Sequence, residues 1–141
     1  MVGPLTSLLV LDTHVWVKFV AGAALSKRAR TAIERAANSK RGVLIPAISL
    51  WEIARLAQDE RLKLGDRPER WFDAALAAVS GNVVAITPEI ATLAASLRCH
   101  GDLADRLIIG TALASDAVLV TRDAMILELA STLKELRLLE A

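Results

Sequence analysis

The chain has no tyrosine, two phenylalanines and three tryptophans. A ladder of aromatic side chains on which successive bases stack, as in sequence-blind single-strand binders, is therefore not expected. Its one cysteine, Cys99, excludes an intrachain disulfide and leaves no thiolate set for a metal. The two histidines, His14 and His100, have no ligand spacing to a second His or Cys, which disfavours zinc, and little supports either as a general base. No uninterrupted apolar run is long enough to cross a bilayer. Val20-Ala21-Gly22-Ala23 resembles the cleavage site of a secretory leader, but Asp12, His14 and Lys18 interrupt the apolar stretch and no basic segment precedes it. The expectation is a soluble, cytoplasmic chain with no membrane association.

What is present is aliphatic. Over 141 residues, 54% are apolar, enough for one domain spanning 1–141 with a substantial core. The apolar excess leads to the expectation that some of it is buried against a second subunit or a partner. The formal net charge of +1 conceals an uneven distribution. With Asp12, Glu52, Asp102, Asp105 and Asp123 set aside as a pocket, 11 acids remain against 17 bases, a surplus suited to a polyanion. Lys27, Arg28, Arg30, Arg35, Lys40 and Arg41 crowd one stretch with Glu34 as its only acid, a pattern equally that of a solvated helix face.

Short aliphatic runs at 6–11, 43–45, 83–86 and 118–120 read as strands, and 136–139 as an edge strand. Between them the periodicity predicts helices over 14–19, 27–37 (capped by Ser26), 49–62, 69–79 (with Pro68 in its first turn), 88–99, 104–115 and a short one after Asp123. Strands alternating with helices imply an α/β fold, a Rossmann-like parallel sheet of four to five strands with helices on both faces.

Asp12 and Asp123 each follow a strand, and Glu52 and Asp105 stand in the first turns of helices. In such sheets ligands sit at the carboxyl ends of strands, so one fold can gather all four. Each acid also has a structural explanation. Asp12 and Asp123 suit N-caps; Ser49-Leu50-Trp51-Glu52 has the form of a capping box; Asp102 and Asp105 have the same relation. The cap and ligand readings are compatible, since a helix N-terminus stabilises a carboxylate. Clustered carboxylates raise one another's pKa unless a divalent cation offsets the charge, which is the arrangement of phosphoryl-transfer hydrolases. Thr121 could equally orient a ligand water or a carboxylate, or be a plain β-branched strand residue. Arg106 and Arg122 adjoin site acids and are candidates for touching a phosphate, as are Lys27, Arg28 and Arg30. Trp16, Trp51 and Trp71 read as core anchors rather than base-stackers.

Four strings carry a resemblance: Leu11-Asp12-Thr13-His14; Ser49-Leu50-Trp51-Glu52-Ile53-Ala54; His100-Gly101-Asp102-Leu103-Ala104-Asp105-Arg106-Leu107-Ile108-Ile109; and Val120-Thr121-Arg122-Asp123. In this order they resemble PIN-domain nucleases, in particular VapC-type toxins of bacterial type II toxin–antitoxin pairs, over residues 8–138. The resemblance implies a PIN-like fold and a Mg²⁺-dependent endoribonuclease, with Mn²⁺ as a substitute ion and tRNA or rRNA as substrate. It also implies a homodimer and an antitoxin that covers the catalytic groove and carries any specific DNA binding. Asp12, Glu52, Asp105 and Asp123 match the acidic quartet, with Asp12 and Asp105 as main metal ligands; Asp102 matches an auxiliary acid, and Thr121 is kept as a second auxiliary position. Leu103 departs from the proline common at its position, and 55–58 is less typical than its surroundings; neither removes a carboxylate. The rival reading is a non-catalytic PIN-fold module that binds protein or RNA. A phosphoacceptor receiver domain is set aside because Asp12 is followed by Thr13-His14 rather than a second acid, and Arg122-Asp123 stands where a lysine is needed.

Overall fold

A computed structural model describes residues 8–98 and 101–141. Five strands form one sheet: β1 (Leu9–Leu11), β2 (Val43–Pro46), β3 (Gly81–Val84), β4 (Val118–Thr121) and β5 (Arg137–Glu140). Their order is β3-β2-β1-β4-β5 and every pairing is parallel. Among the described residues seven helices connect them: α1 (Thr13–Val20), α2 (Lys27–Ala37), α3 (Ala47–Gln58), α4 (Pro68–Val79), α5 (Pro88–Ser96), α6 (Leu103–Ala114) and α7 (Ala124–Leu129).

Side chains alternate across a strand, so each strand feeds two cores. Leu9, Leu11, Val43, Ile45 and Val120 pack with Trp16 of α1, Ala29 and Ile33 of α2 and Val79 of α4. Val10 and Leu119 face the other way, against Ile108, Ile109 and Ala112 of α6 and Ile126 of α7. Both faces of the sheet are thus covered, as expected of aliphatic parallel strands. α5 and α6 form a tight hairpin in which Gly110 lies close enough to α5 that an added Cβ would stand 3.1 Å from the Ile90 carbonyl oxygen.

Three expectations shift. β3 begins at Gly81 and ends at Val84, earlier than the 83–86 run, because the strand pairs residue by residue with β2 from Val43↔Gly81 to Pro46↔Val84. As an edge strand it leaves Val83 exposed, and Ile86 beyond it is exposed too. α3 starts at Ala47, not Ser49, so Ser49 is inside the helix and the capping box does not form. Trp51 is no core anchor; it is 52% exposed. Trp16 does anchor the core, fully buried with its Nε1 donating to the Ala75 carbonyl, and Trp71 packs on it half-buried. α5 ends at Ser96, before the expected end near Cys99, because Leu97 turns to extended backbone; Cys99, His100 and the first residues of the 6–11 strand lie outside the described residues. Among the described residues no helix is long and apolar enough to cross a membrane.

Candidate active site

The strand order reverses direction at β1: β2 and β3 lie on one side, β4 and β5 on the other. The crevice at the carboxyl ends of β1 and β4 is therefore the topological switch point, where open α/β sheets bind ligands. Asp12 follows β1 there and Asp123 follows β4.

Parallel pairing sets these two ends side by side, with Leu11 opposite Val120 and the Asp12 N–H donating to the Val120 carbonyl at 3.0 Å. Asp12 is 4% exposed and occupies the N-cap position of α1, yet its carboxylate makes no cap bond. Its Oδ2 accepts instead from the Thr121 hydroxyl at 2.7 Å, and Thr121 Oγ1 accepts the Asp123 N–H at 3.0 Å. Thr121 thus holds Asp12 from the neighbouring strand. Burial pushes the Asp12 carboxyl above its ordinary range, and the Thr121 bond and nearby His14 pull it partly back.

Glu52 projects from α3, which follows β2 on the other side of β1. The Thr13 hydroxyl lies 2.5 Å from Glu52 Oε1 and 2.9 Å from Ser49 Oγ. Thr13 and Ser49 are both fully buried. The sequence reading gave Thr13 no role and took Ser49 for a helix cap. The available signal was position: Thr13 follows Asp12 directly, and Ser49 precedes Glu52 by three residues, which places them on one helix face. Partial burial raises the Glu52 pKa, and Asp102 and Asp12 add to the rise.

Asp105 is held by the first turn of α6, whose N-cap is Asp102; Asp102 Oδ1 accepts the Asp105 N–H at 2.9 Å. Asp105 is half-buried, and desolvation together with the charges of Asp102, Asp12, Asp123 and Glu52 pushes its pKa up to about 7. The other three sequence-predicted acids and the auxiliary Asp102 are therefore all within electrostatic reach of Asp105. Asp123 caps α7, its Oδ1 accepting from Met125 N and Ile126 N at 2.9 and 3.1 Å. Among the described residues no ion pair neutralises any of the five.

The predicted cations divide. Arg30 Nη2 donates to the Ala23 carbonyl and Arg122 Nη1 to the Ala24 carbonyl, so both fasten the loop between α1 and α2. Lys27 and Arg28 remain exposed at the start of α2. That end is tied to the carboxyl edge of the sheet, because Ser26 Oγ donates to the Glu140 carbonyl at the end of β5. Arg106 Nε is buried without a hydrogen-bond partner among the described residues.

The donor set fits a hard divalent cation: carboxylate oxygens, raised pKa values that a cation would relieve, and no histidine or thiolate cage. Among the described residues no three His, Cys, Asp or Glu side chains converge into a ready-made metal cage.

The PIN domain model matches residues 9–131. Ribonuclease VapC22 of Mycobacterium tuberculosis (strain ATCC 25618 / H37Rv) is 37% identical over 118 residues, covering 82% of this chain and 86% of that protein. Among solved structures, VapBC2 from Rickettsia felis, bound to a DNA fragment from its promoter, matches with a TM-score of 0.68 at 18% identity, over 95% of this chain and 98% of that one. FitAcB from Neisseria gonorrhoeae matches with a TM-score of 0.63 at 19% identity, over 93% and 96%. These two likenesses are of fold. The family match and the 37% identity, each covering most of the molecule, place the chain in the PIN-domain family and, within it, among the VapC ribonucleases.

Proposed function

We propose that this chain, as one PIN domain over 1–141, is the toxin of a type II toxin–antitoxin pair and hydrolyses phosphodiester bonds of tRNA or rRNA. The observation that carries the reading is the set of unneutralised carboxylates at the switch point, with Asp105 pushed to about 7 by its neighbours. A module that only bound RNA or protein would gain nothing from that repulsion. PIN-domain VapC nucleases are generally divalent-metal dependent; the ion proposed here is Mg²⁺, with Mn²⁺ as a substitute.

Asp12, Asp105, Glu52 and Asp123 would hold the ion, directly or through water, with Asp102 and Thr121 as auxiliaries. When bound, such an ion lowers the pKa of a ligand water and offsets charge gathering on the phosphoryl oxygens. Thr121 fixes which Asp12 oxygen faces the crevice, since Oδ2 is already hydrogen-bonded. Thr13 does the same for Glu52 by engaging Oε1. The other oxygen, Oε2, is left to take the proton of the attacking water, and its raised pKa suits a general base. The water oxygen bonds to phosphorus, the phosphorus–oxygen bond to the leaving ribose oxygen breaks, and that oxygen is protonated from solvent. Lys27 and Arg28 at the same edge of the sheet would grip the backbone, giving binding that weakens steeply with salt.

A cognate antitoxin would neutralise the activity by covering the groove. A solved toxin–antitoxin complex from Klebsiella pneumoniae of similar fold, with a TM-score of 0.57 at 22% identity over 82% of this chain and 86% of that one, supports that partner. The chain would form a homodimer, act in the cytoplasm and leave specific DNA binding to the antitoxin. Mapping of RNA ends after exposing total bacterial RNA to the purified chain tests this reading. Cuts at one or a few sites that require Mg²⁺ and vanish with chelator and in Asp12→Asn are expected. Cleavage no greater than that of Asp12→Asn, over several metals and RNA sources, would establish the binding-module alternative.

A further inference from the structure

Next to the acids lies a cavity of about 260 Å³ bounded by His14, Glu52, Arg55, Leu56, Arg61 and Asp102. Two of its walls are site carboxylates, while Arg55 and Arg61 bring two permanent positive charges into the same recess. Arg55 has a second relation. Its guanidinium stands 5.3 Å from the centroid of the Trp51 ring, and Trp51, immediately before Glu52 on α3, keeps half its surface in solvent. Arg55 also makes a loose contact to Asp59, 3.8 Å apart on an exposed surface. A half-exposed indole, a guanidinium set over it and a second guanidinium in the wall of the neighbouring recess are what a nucleotide needs. The indole offers a face for a base, and the guanidinium groups take phosphate in a fork geometry.

We propose that Trp51, Arg55 and Arg61 form the subsite that seats the nucleotide beside the scissile phosphate. The base stacks on Trp51, its phosphate is drawn to Arg55 and Arg61, and the reacting phosphodiester is thereby set against Glu52 and its neighbours. The charges support an RNA occupant over a peptide: the recess pairs arginines for phosphate with carboxylates for the reacting centre, and an apolar peptide would leave both uncompensated. This inference rests on the nuclease reading above.

The test measures cleavage at the sites mapped in total bacterial RNA and binding of a short fluorescent unpaired RNA of random sequence, with binding followed in an Asp12→Asn background. Trp51→Ala is expected to weaken binding and raise KM by about 10-fold or more, with Trp51→Phe recovering most of the loss. Arg55→Ala and Arg61→Ala are each expected to weaken binding and to flatten the dependence of log K on log salt by about 0.7, one phosphate contact on a single strand. Lys134→Ala, exposed at the opposite end of the sheet, serves as the charge-matched control and leaves both quantities at the parent value. Thermal melting of each variant separates a subsite effect from loss of fold. If the parent cuts RNA while the three subsite variants bind and cut as it does, the subsite is wrong and the nuclease reading stands. If the parent itself cuts nothing, the nuclease reading fails first. Loss of affinity for a protein partner with RNA cleavage unchanged would overturn the subsite and mark the patch as a protein contact.

Discussion

The two ends of the sheet treat charge in opposite ways. At the amino end, Asp116 is paired with Arg137, whose Nη2 donates to its Oδ1 at 3.0 Å and to its backbone carbonyl at 2.6 Å. The turns there are closed by backbone acceptors: Ser80 Oγ donates to the Ala37 carbonyl and Asn82 Nδ2 to the Arg41 carbonyl. At the carboxyl end, five acids crowd one crevice and, among the described residues, none has an ion-pair partner. Charge at the first end is arranged for stability. At the second it is held against stability by the packed strands and helices that carry it, which is what a ligand site requires.

The largest expected effect breaks the comparison at the carboxyl end. Asp105→Asn, like Asp12→Asn, is expected to lower RNA cleavage by at least about 100-fold. Because each substitution removes a charge that burial and its neighbours disfavour, the metal-free variant is also expected to melt higher than the parent. A lower melting temperature in chelator would mean that the acids are not a cost to the fold. At the amino end the opposite holds. Gly42 has φ +64° and an added Cβ would collide with the Ser80 carbonyl oxygen, so Gly42→Ala is expected to cost about 2 kcal/mol or more, read by denaturant unfolding. Activity per folded molecule stays unchanged.

Between these extremes lies Thr13→Val, nearly isosteric in a fully buried position. It frees Glu52 and strips Ser49 of its buried partner, with an expected loss of about 10-fold in kcat and little change in KM. The pH dependence sharpens the same contrast. Asp105 is raised from 3.8 to about 7, so between those values the folded chain binds more protons than the unfolded one, and stability falls as pH rises. A cation that requires the ionised form reverses this. Added Mg²⁺ is therefore expected to raise the melting temperature more at about pH 8 than at about pH 5.5; an equal shift at both would place the ion elsewhere. The smallest effect belongs to Arg137→Ala, an exposed pair whose loss is expected to stay within about 1 kcal/mol and to leave cleavage untouched.

Much of this was legible in the chain. Ser26 marks the start of α2 because its hydroxyl does accept the Ala29 N–H, and Pro68 opens α4 as its missing N–H allows. The acids were legible because each stands at a junction, where strand ends and helix starts meet. What the sequence concealed was the contribution of neighbours. Ser49 is read as a cap from its spacing to Glu52, but Pro46 ends β2 in extended backbone and α3 begins directly after it. The hydroxyl is thereby carried inward to Thr13, a contact between positions 36 apart that no local pattern encodes. Trp51 failed for a similar reason. Hydrophobicity predicts burial only when the helix face it occupies meets the core, and that face turns outward beside Glu52. Arg30 and Arg122, candidates for a phosphate by charge alone, are held by the Ala23 and Ala24 carbonyls.

The hydrogen bonds of the site also fix how its carboxylates are presented. Asp102 and Asp123 each spend Oδ1 on a helix N-terminus, Asp12 spends Oδ2 on Thr121 and Glu52 spends Oε1 on Thr13. Each of these hydrogen bonds holds its carboxylate in one orientation, while a bonded oxygen keeps a further lone pair with which to meet a cation. The acids are therefore aimed before any ligand arrives, two by helix N-termini and two by threonine hydroxyls. Little side-chain freedom is left to be lost when a charge is bound there.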